Sequence, residues 1–305
     1  MLSGFHLIQI KLQLTHRNNI MNYSEFTTKI STKIISILET GKLSWRQTWK
    51  VSLPHNFVSK RRYNGMNLFS LFGTMIDNNF TNPGFLTFLQ ASQKGLKINK
   101  GSKGSQVIFW KTDQVSEVNV NTEEIESRRR MIAKFYYVFN ISQTDYAGEP
   151  EMPIHEDAQS LLDSIIRDKA IVSSFHPIKA SYRPSLHDII MPSSKQFSTP
   201  EEYYSTFFHE IIHWSGKEMQ RELNADNKTI AYAKEELIAE FGSSFLCALC
   251  GIENTFENSA AYIQDWIEHA KLDKTFIPGA ITSASKAVEF LTKSFFEAKE
   301  LKEAA

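Results

Sequence analysis

The chain of 305 residues has 42% apolar and 22% charged residues, a composition typical of a globular protein with one large or two average domains. No apolar run approaches the ~20 residues that span a bilayer, and two cysteines are too few for a disulfide scaffold, so the sequence predicts a cytoplasmic protein without a membrane partner. The net charge is zero, but residues 21–148 hold 17 basic and 9 acidic side chains, whereas residues 149–305 hold 15 and 25. This asymmetry predicts two domains and an anionic partner for the first.

Turn residues and charge predict where the domains begin and end. Residues 1–20 lack a basic n-region and are interpreted as a mis-assigned start or a disordered extension. A basic α+β domain is expected over 21–142. A linker is expected over 143–153, where QTDYAGEPEMP carries turn residues and prolines, and a mainly helical domain with a small sheet over 154–305. The expected fold class is therefore α+β with two domains.

Hydrophobic periodicity predicts the elements in chain order. They are a helix over 24–40, a short helix over 85–95, a loose hairpin tip over 113–130, a strand over 131–142, a helix over 155–170, a short strand over 181–192, and long helices over 200–215 and 229–250. Because 181–192 precedes the first long helix, it is a candidate edge strand to which an extended peptide adds, with Tyr182 or Arg183 facing the cleft. A plain connecting strand is the alternative.

The first long helix carries a polar notch on an otherwise apolar surface. At about 100° per residue, His209 and His213 lie one turn apart, and Glu210 lies about 60° from His213. Two imidazoles in this arrangement can share one tetrahedral Zn²⁺, and the carboxylate is suited to take a proton from a water molecule. This HExxH pattern is typical of zinc metalloproteases. The alternative is a pair of core histidines with Glu210 at a solvent edge, but an unpaired buried carboxylate would be costly.

A catalytic zinc site needs a third protein ligand. Met219 stands where one extension of the motif has a third histidine, so Gly216 is interpreted as a helix C-cap. On the second long helix Glu236 and Glu240 share a face, while Glu235 points about 100° away. The pattern resembles the glutamate-zincin scheme, which makes Glu236 the third ligand and Glu240 the residue that orients a ligating histidine. A solvated acidic stripe is the alternative for this pair.

Aromatic and basic side chains alternate in the first domain, which is the combination that binds single-stranded nucleic acid. Cations follow the phosphates, and aromatic faces stack on bases. The candidate residues are Trp45, Arg46, Trp49, Lys60, Arg61, Arg62, Tyr63, Lys97, Lys100 and Lys103. A solvated basic surface, with the tryptophans in a small core, explains the composition equally well.

These motifs together resemble the ArdC-type antirestriction proteins of plasmids and other mobile elements. The resemblance covers about residues 23–300 and rests on several segments in fixed order. They are PHNFVSKRRYNGMN (54–67), GFLTFLQASQKGLKINKGSKG (84–104), YYVFNISQ (136–143), DIIMP (188–192), FHEIIHWSG (208–216), YAKEELIAEFGSSFL (232–246) and YIQDWI (262–267). The family usually has a tryptophan where Phe85 and Leu86 stand here, which predicts weaker stacking at that place.

The resemblance implies an N-terminal single-stranded-DNA-binding domain joined to a zincin-like metallopeptidase domain, in a protein that protects incoming DNA from host restriction endonucleases. It implies metal ligation by His209, His213 and Glu236, with Glu210 as the catalytic general base. The expected cofactor is one Zn²⁺, with Mn²⁺ or another divalent metal as the alternative. The residues that it assigns to the DNA-binding module are Asn56, Tyr63, Asn64, Gly65 and Asn67.

Three functions remain open at this stage. The first is an antirestriction coat on DNA whose metal site is incidental. The second is a metalloprotease directed by DNA to a host restriction or other DNA-bound protein. The third is a toxin-like effector peptidase, which predicts cell damage and little affinity for DNA. The substitution Glu210→Gln retains protection in the first case and abolishes it in the second.

Overall fold

The computed structural model describes residues 23–39, 53–118, 125–148, 156–223, 229–252 and 260–303. The helices and strands in these ranges are α1 Tyr23–Glu39, β1 His55–Asn56, α2 Gly65–Asn78, β2 Gly84–Thr87, α3 Phe88–Gln93, β3 Ser105–Val118, β4 Ile125–Asn140, α4 Ala158–Asp168, β5 Val172–Phe175, β6 Ser181–Arg183, β7 Asp188–Met191, α5 Pro200–Glu218, α6 Ile230–Leu249, α7 Ala260–Leu272 and α8 Phe276–Glu303. The predicted α+β class, with a sheet-based first half and a mainly helical second half, is confirmed. Of the helices described, none has the length and apolarity needed to cross a membrane.

The N-terminal half is built on a four-stranded sheet of order β1-β2-β4-β3. The long strands β3 and β4 pair antiparallel, and β3 forms one edge of the sheet. Helix α2 runs along that edge, where the side-chain amide of Asn67 donates to the carbonyl oxygen of Ile108 (2.7 Å) and accepts from the N–H of Ile108 (2.8 Å). Asn67 therefore pairs with β3 as a neighbouring backbone would, and it protects part of the edge.

The segment 85–95, predicted as one helix, is divided between strand β2 and helix α3. Phe85 and Leu86 are fully buried in the sheet, so tertiary packing overrides the helical periodicity of the segment. The helix begins only after Thr87, whose side chain accepts a hydrogen bond from the N–H of Gln90. This capping box marks the true start of the helix.

The stretch 113–130, predicted as a loose hairpin tip, lies largely within β3 and β4, whose pairing reaches Val118 and Ile125. The prediction rested on the polar composition of the stretch, but strand pairing is made by backbone hydrogen bonds, which continue through this polar sequence. The predicted extension at 1–20 and the second part of the predicted linker, 149–153, lie outside the described residues.

The C-terminal half contains a three-stranded sheet of order β5-β7-β6, in which β5 is parallel and β6 antiparallel to the central strand. The stretch 181–192, predicted as one short strand, is therefore a hairpin of β6 and β7. Its turn ends at His187, which has a φ of 53°. Strand β6 forms the edge of the sheet beside helix α5, which leaves one side of β6 available to the site described below.

Helix α5 begins where the sequence predicts, because Thr199 caps it and Pro200 occupies its first turn. The helix continues to Glu218, so the prediction that Gly216 is a C-cap is wrong. Gly216 is buried inside the helix, and a Cβ there would lie 2.5 Å from a methyl group of Leu223. The glycine makes room for the chain that folds back over the end of α5.

One hydrophobic core joins the two halves of the protein. It includes Phe26 of α1 together with buried side chains of α5, α6 and α8. From α2, Phe69 places its ring 4.9 Å from the ring of Phe241 and 5.4 Å from that of Phe245. Opposite charges also meet where the two halves join. The buried carboxylate of Glu156 lies 3.3 Å from the guanidinium group of Arg62 in the basic half.

Candidate metal centre and nucleic-acid surface

Three side chains from two helices converge on one point. The Nε2 atoms of His209 and His213 lie 3.1 Å apart, and the carboxylate of Glu236 lies 3.6 Å from the first and 3.7 Å from the second. Ligand atoms around a tetrahedral ion with bonds of ~2.0–2.1 Å are separated by ~3.3–3.4 Å. The observed distances bracket that value, so these donors fit a small divalent metal ion. Among the residues described, they form one cluster with all ligand atoms within 4.8 Å.

Close packing of α5 against α6 brings the ligands together. At the crossing Gly242 faces Ile212, and a Cβ on the glycine would lie 2.6 Å from the Ile212 Cδ1 atom. The absence of a side chain therefore lets the helix that carries Glu236 approach the helix that carries the histidines. Phe208, which precedes His209, and Ile211, which follows Glu210, are fully buried. Their burial fixes the orientation of the helix face that carries the histidines.

A carboxylate that the sequence analysis placed away from the site orients one ligating histidine. Glu235 accepts from Nδ1 of His213 at 3.1 Å, which leaves Nε2 of that ring directed at the metal position. Arg221 holds the same carboxylate with two hydrogen bonds of 2.9 Å and also donates to the carbonyl oxygen of Ile212. A carboxylate that bonds a ligating imidazole fixes its tautomer and raises its basicity. The Arg221 contribution had no signal in sequence spacing, because it depends on the turn after α5.

The electrostatics of the cluster favour the charged forms of His213 and Glu236. Burial acts to lower the pKa of His213, but the hydrogen bond to Glu235 and the charges of Glu236 and Glu210 outweigh it and raise the pKa to about 9. Burial acts to raise the pKa of Glu236, but its contacts with His209 and His213 lower it to about 2. The third ligand is therefore ionised at any physiological pH, as metal ligation requires.

Glu240 lies one turn beyond Glu236 on α6 and is fully buried. Its location on the same helix face agrees with the spacing argument. That Glu240 orients a ligating histidine stays a prediction. The hydrogen bond described between a carboxylate and a ligating histidine joins Glu235 to His213.

The candidate general base is held by the edge strand. Glu210 is 8% exposed, and one oxygen of its carboxylate accepts from the main-chain N–H of Tyr182 at 2.6 Å. Of the two residues predicted to face the cleft, Tyr182 presents its backbone to Glu210, whereas Arg183 pairs with Asp188. The edge of β6 therefore lies directly against the Glu210 carboxylate.

A second set of contacts fastens the β6–β7 hairpin to helix α5. The Tyr182 hydroxyl lies 2.9 Å from Nδ1 of His187, and Nε2 of His187 lies 3.0 Å from Glu218. The His187 ring stacks on Trp214 with centroids 4.8 Å apart. Desolvation and the nearby Glu218 carboxylate raise the pKa of Tyr182 to about 12, so its hydroxyl remains a hydrogen-bond donor. This network sets the distance between the edge strand and the HExxH helix.

The residues predicted to bind DNA fall into different environments. Asn56 and Tyr63 are at least half-buried, and the Asn56 side chain accepts from the N–H groups of Val58 and Ser59. These contacts, like the pairing of Asn67 with β3, mean that both asparagines stabilise the local fold. Their contact with DNA stays a prediction. Trp45, Arg46 and Trp49 lie outside the described residues. The candidates that are exposed are Lys60, Arg61, Arg62, Asn64, Lys97, Lys100 and Lys103.

Several exposed rings of the N-terminal sheet were missed from the sequence. Phe109 and Trp110 on β3 are 47% and 51% exposed, and Tyr136 and Tyr137 on β4 are 44% and 46% exposed. Their sequence signal, a β-rich stretch, is the same as that of a buried strand. These rings are exposed because β3 and β4 continue to pair with each other beyond the part of β4 that pairs with β2.

The fold and the site define a class: a zincin-type metal centre joined to a sheet-based N-terminal domain. Residues 160–285 match the family described as zincin-like metallopeptidase, and residues 24–139 match the N-terminal domain of anti-restriction factor ArdC.

Two crystal structures have the same overall fold as this chain. The metal-free crystal structure of the antirestriction protein ArdC from plasmid R388 is 32% identical, has a TM-score of 0.74, and aligns over 88% of this chain and 96% of that chain. The Mn(II)-bound structure is 30% identical, has a TM-score of 0.71, and aligns over 88% and 97%. The chain therefore belongs to the ArdC family of antirestriction proteins, as its motifs predicted. The family and the donor set support a divalent metal at the centre.

Two curated proteins are also similar to this chain over most of its length. Protein y4eC of Sinorhizobium fredii is 29% identical over 272 residues, which is 85% of this chain and 88% of the relative. DNA primase TraC of Escherichia coli is 28% identical over 305 residues. The match covers 91% of this chain but 28% of TraC, so the chain corresponds to a part of that larger protein.

Proposed function

We propose that this antirestriction protein binds single-stranded DNA through its basic half and hydrolyses a peptide bond at the centre formed by His209, His213, Glu236 and Glu210. The substrate class is a restriction protein or another protein that meets the incoming strand in the cytoplasm. One observation carries the proposal: a buried carboxylate lies beside three convergent metal donors and is bonded to the edge strand at 2.6 Å. A metal site with a purely structural role would not need that carboxylate.

The cofactor proposed for this centre is one zinc ion held by His209, His213 and Glu236. Two imidazoles and one carboxylate make up a three-ligand set that leaves a coordination position open, as catalytic zinc sites do. Such N/O donors also bind zinc more tightly than manganese. When bound, the metal would polarise the scissile carbonyl and lower the pKa of a water molecule.

Glu210 supplies the proton transfers of the proposed reaction. Its carboxylate accepts a proton from the attacking water, whose oxygen bonds to the carbonyl carbon. Glu210 then delivers that proton to the nitrogen of the departing amine as the C–N bond breaks. The side chain is suited to both steps because it is buried next to the histidines and faces the edge strand.

Strand β6 is the proposed docking edge for an extended peptide. An added strand pairs through backbone hydrogen bonds along a free edge. In the present structure the Tyr182 N–H is occupied by Glu210. A peptide carbonyl that pairs with this amide would replace the carboxylate as acceptor, which would release Glu210 for proton transfer at the moment the substrate docks.

The DNA-binding part of the proposal rests on charge and exposure. Residues 21–148 carry 17 basic against 9 acidic side chains, and the exposed lysines and arginines of the sequence prediction lie in this half. Phosphate contacts of this kind weaken steeply with salt. A salt titration of oligo(dT) binding by the whole protein therefore tests this part separately from the metal centre.

Transfer of DNA into a restricting host tests the hydrolytic part. Glu210→Gln should lose protection while it retains metal content and oligo(dT) affinity. Glu201→Gln, a change on the same helix at a partly exposed position, is the matched control and should protect like the wild type. Full protection by Glu210→Gln would overturn the peptidase proposal and leave a coat on DNA. Failure of the wild type to bind oligo(dT) would overturn the DNA-binding part.

A further inference from the structure

Two half-exposed aromatic rings lie side by side on one face of the β3–β4 hairpin. The rings of Phe109 and Tyr136 meet edge to face with centroids 5.6 Å apart. Phe109 stands opposite Lys134 in the cross-strand register, and Lys111 follows two positions along β3 on the same face. We call the group of Phe109, Lys111, Lys134 and Tyr136 the aromatic platform.

The platform is anchored from one side and open on the other. The ring of Tyr63, which is buried, lies 6.4 Å from that of Phe109 and supports it from below. Phe109 and Tyr136 nevertheless keep 47% and 44% of their surface exposed. Exposed aromatic rings on an ordered sheet cost solvation free energy, so a pair in contact beside two lysines is a candidate binding surface.

Helix α1 packs against part of the opposite face of the same hairpin, where Trp110 and Tyr137 remain 51% and 46% exposed. Trp110 packs edge to face on Tyr23 at 5.3 Å, and Phe135 packs on Phe26 at 6.1 Å. The two faces of the hairpin therefore have different surroundings. Both carry half-exposed rings, but one contacts α1, whereas the other combines its two rings with the two lysines of the platform.

A groove on the side of the hairpin that faces α1 is the rival surface for an anionic strand. It is lined by Lys29, Lys33 and Lys103 together with Tyr137. Lys33, however, is already paired with Asp77, and the groove presents one half-exposed ring rather than two in contact. In the platform, the cross-strand partners of Lys134 and Lys111 are Phe109 and an isoleucine, not acidic residues.

We infer that the aromatic platform is the surface on which this protein stacks bases of single-stranded DNA. The inference rests on the proposed DNA binding and adds the place where it occurs. Phe109 and Tyr136 provide faces for bases, and Lys111 and Lys134 contact the adjoining phosphates. The partner is a single strand because stacking requires unpaired bases, and the excess of positive charge in residues 21–148 suits its phosphates.

Adjacent residues on the two faces provide matched controls for the test. Phe109→Ala and Tyr136→Ala remove platform rings, whereas Trp110→Ala and Tyr137→Ala remove rings of almost equal exposure from the other face. The measurement is fluorescence anisotropy of labelled oligo(dT) and of an abasic strand of the same length, with the whole protein at several salt concentrations. Each platform variant should bind oligo(dT) roughly 5- to 100-fold more weakly, since loss of base stacking has that effect. Binding of the abasic strand should be unchanged.

Two further variants separate stacking from folding and from charge. Tyr136→Phe keeps the ring and should bind oligo(dT) as tightly as the wild type. If the weak binding of Tyr136→Ala came from a disturbed fold, this result would not be expected. Lys111→Ala with Lys134→Ala should weaken both strands alike and reduce the slope of log affinity against log salt by about 1.4, or ~0.7 for each phosphate.

The outcomes distinguish this inference from the proposed function. If the wild type binds oligo(dT) and the platform variants bind no more weakly than Trp110→Ala and Tyr137→Ala, the platform inference fails and DNA binding stands. Greater losses in Tyr137→Ala would assign the strand to the groove. If the wild type prefers neither strand and instead self-associates through the rings, the platform is a contact between copies, and the inference is overturned.

Discussion

The metal centre and the aromatic platform differ in what holds their side chains in place. At the metal centre every described ligand is buried or nearly so and is fixed by neighbours from other elements, such as the Arg221–Glu235–His213 series. At the platform the rings of Phe109 and Tyr136 are fixed by strand register and by each other. A buried centre tolerates little change, because each partner left unpaired costs free energy. A surface built for stacking loses affinity in proportion to the rings removed.

The largest effect is expected from Glu236→Gln, which replaces an ionised ligand by a neutral amide. Metal affinity should fall by more than about 100-fold, since even partners outside the coordination shell contribute 10- to 100-fold. Oligo(dT) binding should be unchanged, because the platform shares no described contact with α6. Isothermal titration with Zn²⁺ and Mn²⁺ measures the first quantity. Glu297→Gln on α8, an exposed carboxylate, is the control. Unchanged metal affinity would remove Glu236 from the ligand set.

The second effect concerns metal affinity and distinguishes the roles of Glu235 and Glu240 on α6. Glu235→Gln should lower metal affinity roughly 10- to 100-fold, because the charge that orients His213 is lost while the side chain keeps its shape. Glu240→Gln tests the role that spacing assigned to Glu240. A loss confined to Glu235→Gln would mean that one carboxylate orients the ligands. Losses in both variants would support a role for each glutamate.

The HExxH part of the site is predictable from the sequence because it depends on one helix. His209, Glu210 and His213 are related by fixed angles along α5, and the capping residues that begin the helix are also local. Glu236 required the further assumption that a second helix returns antiparallel. The 22 residues between His213 and Glu236 leave room for that return, and the resemblance to the glutamate-zincin scheme supplied the ligand role. The HExxH chemistry therefore follows from spacing within a single element, whereas the third ligand depends on how two helices pack.

The parts that the sequence did not reveal depend on contacts between elements. Glu235 points about 100° from Glu236 on a helical wheel, yet it reaches His213 because α5 and α6 cross closely. The exposure of Phe109 and Tyr136 follows from a register that composition does not encode. Asn67 belongs to a motif assigned to DNA binding, but only the edge position of β3 explains its bonds to Ile108. Tertiary packing decides such features, and one sequence carries little signal for it.

A third effect tests the close helix crossing that brings the ligands together. Gly242→Ala places a methyl group against Ile212 and should destabilise the protein by about 1–3 kcal/mol, as overpacking does. Gly279→Ala on α8 is the matched control. The nearest atom to its new Cβ is the flexible end of Lys234 at 3.4 Å, so the helix gain of roughly 0.5–1 kcal/mol should remain. Urea unfolding of both variants measures the difference. Equal stabilisation by the two changes would show that the crossing has room to spare.

The smallest effect is the proton released when the metal binds. His213 has a pKa raised from 6.5 to about 9 in the metal-free protein, so its imidazolium stabilises the fold fully below pH 6.5, and this contribution is lost as pH rises through 9. Only the neutral ring can ligate, so binding between these values should release about one proton and strengthen about tenfold per pH unit. Titration calorimetry in buffers of different ionisation enthalpy measures the release. Glu235→Gln should reduce it near pH 8, because the hydrogen bond that raises the pKa is weakened, and a release that is unaffected would assign the proton to another group.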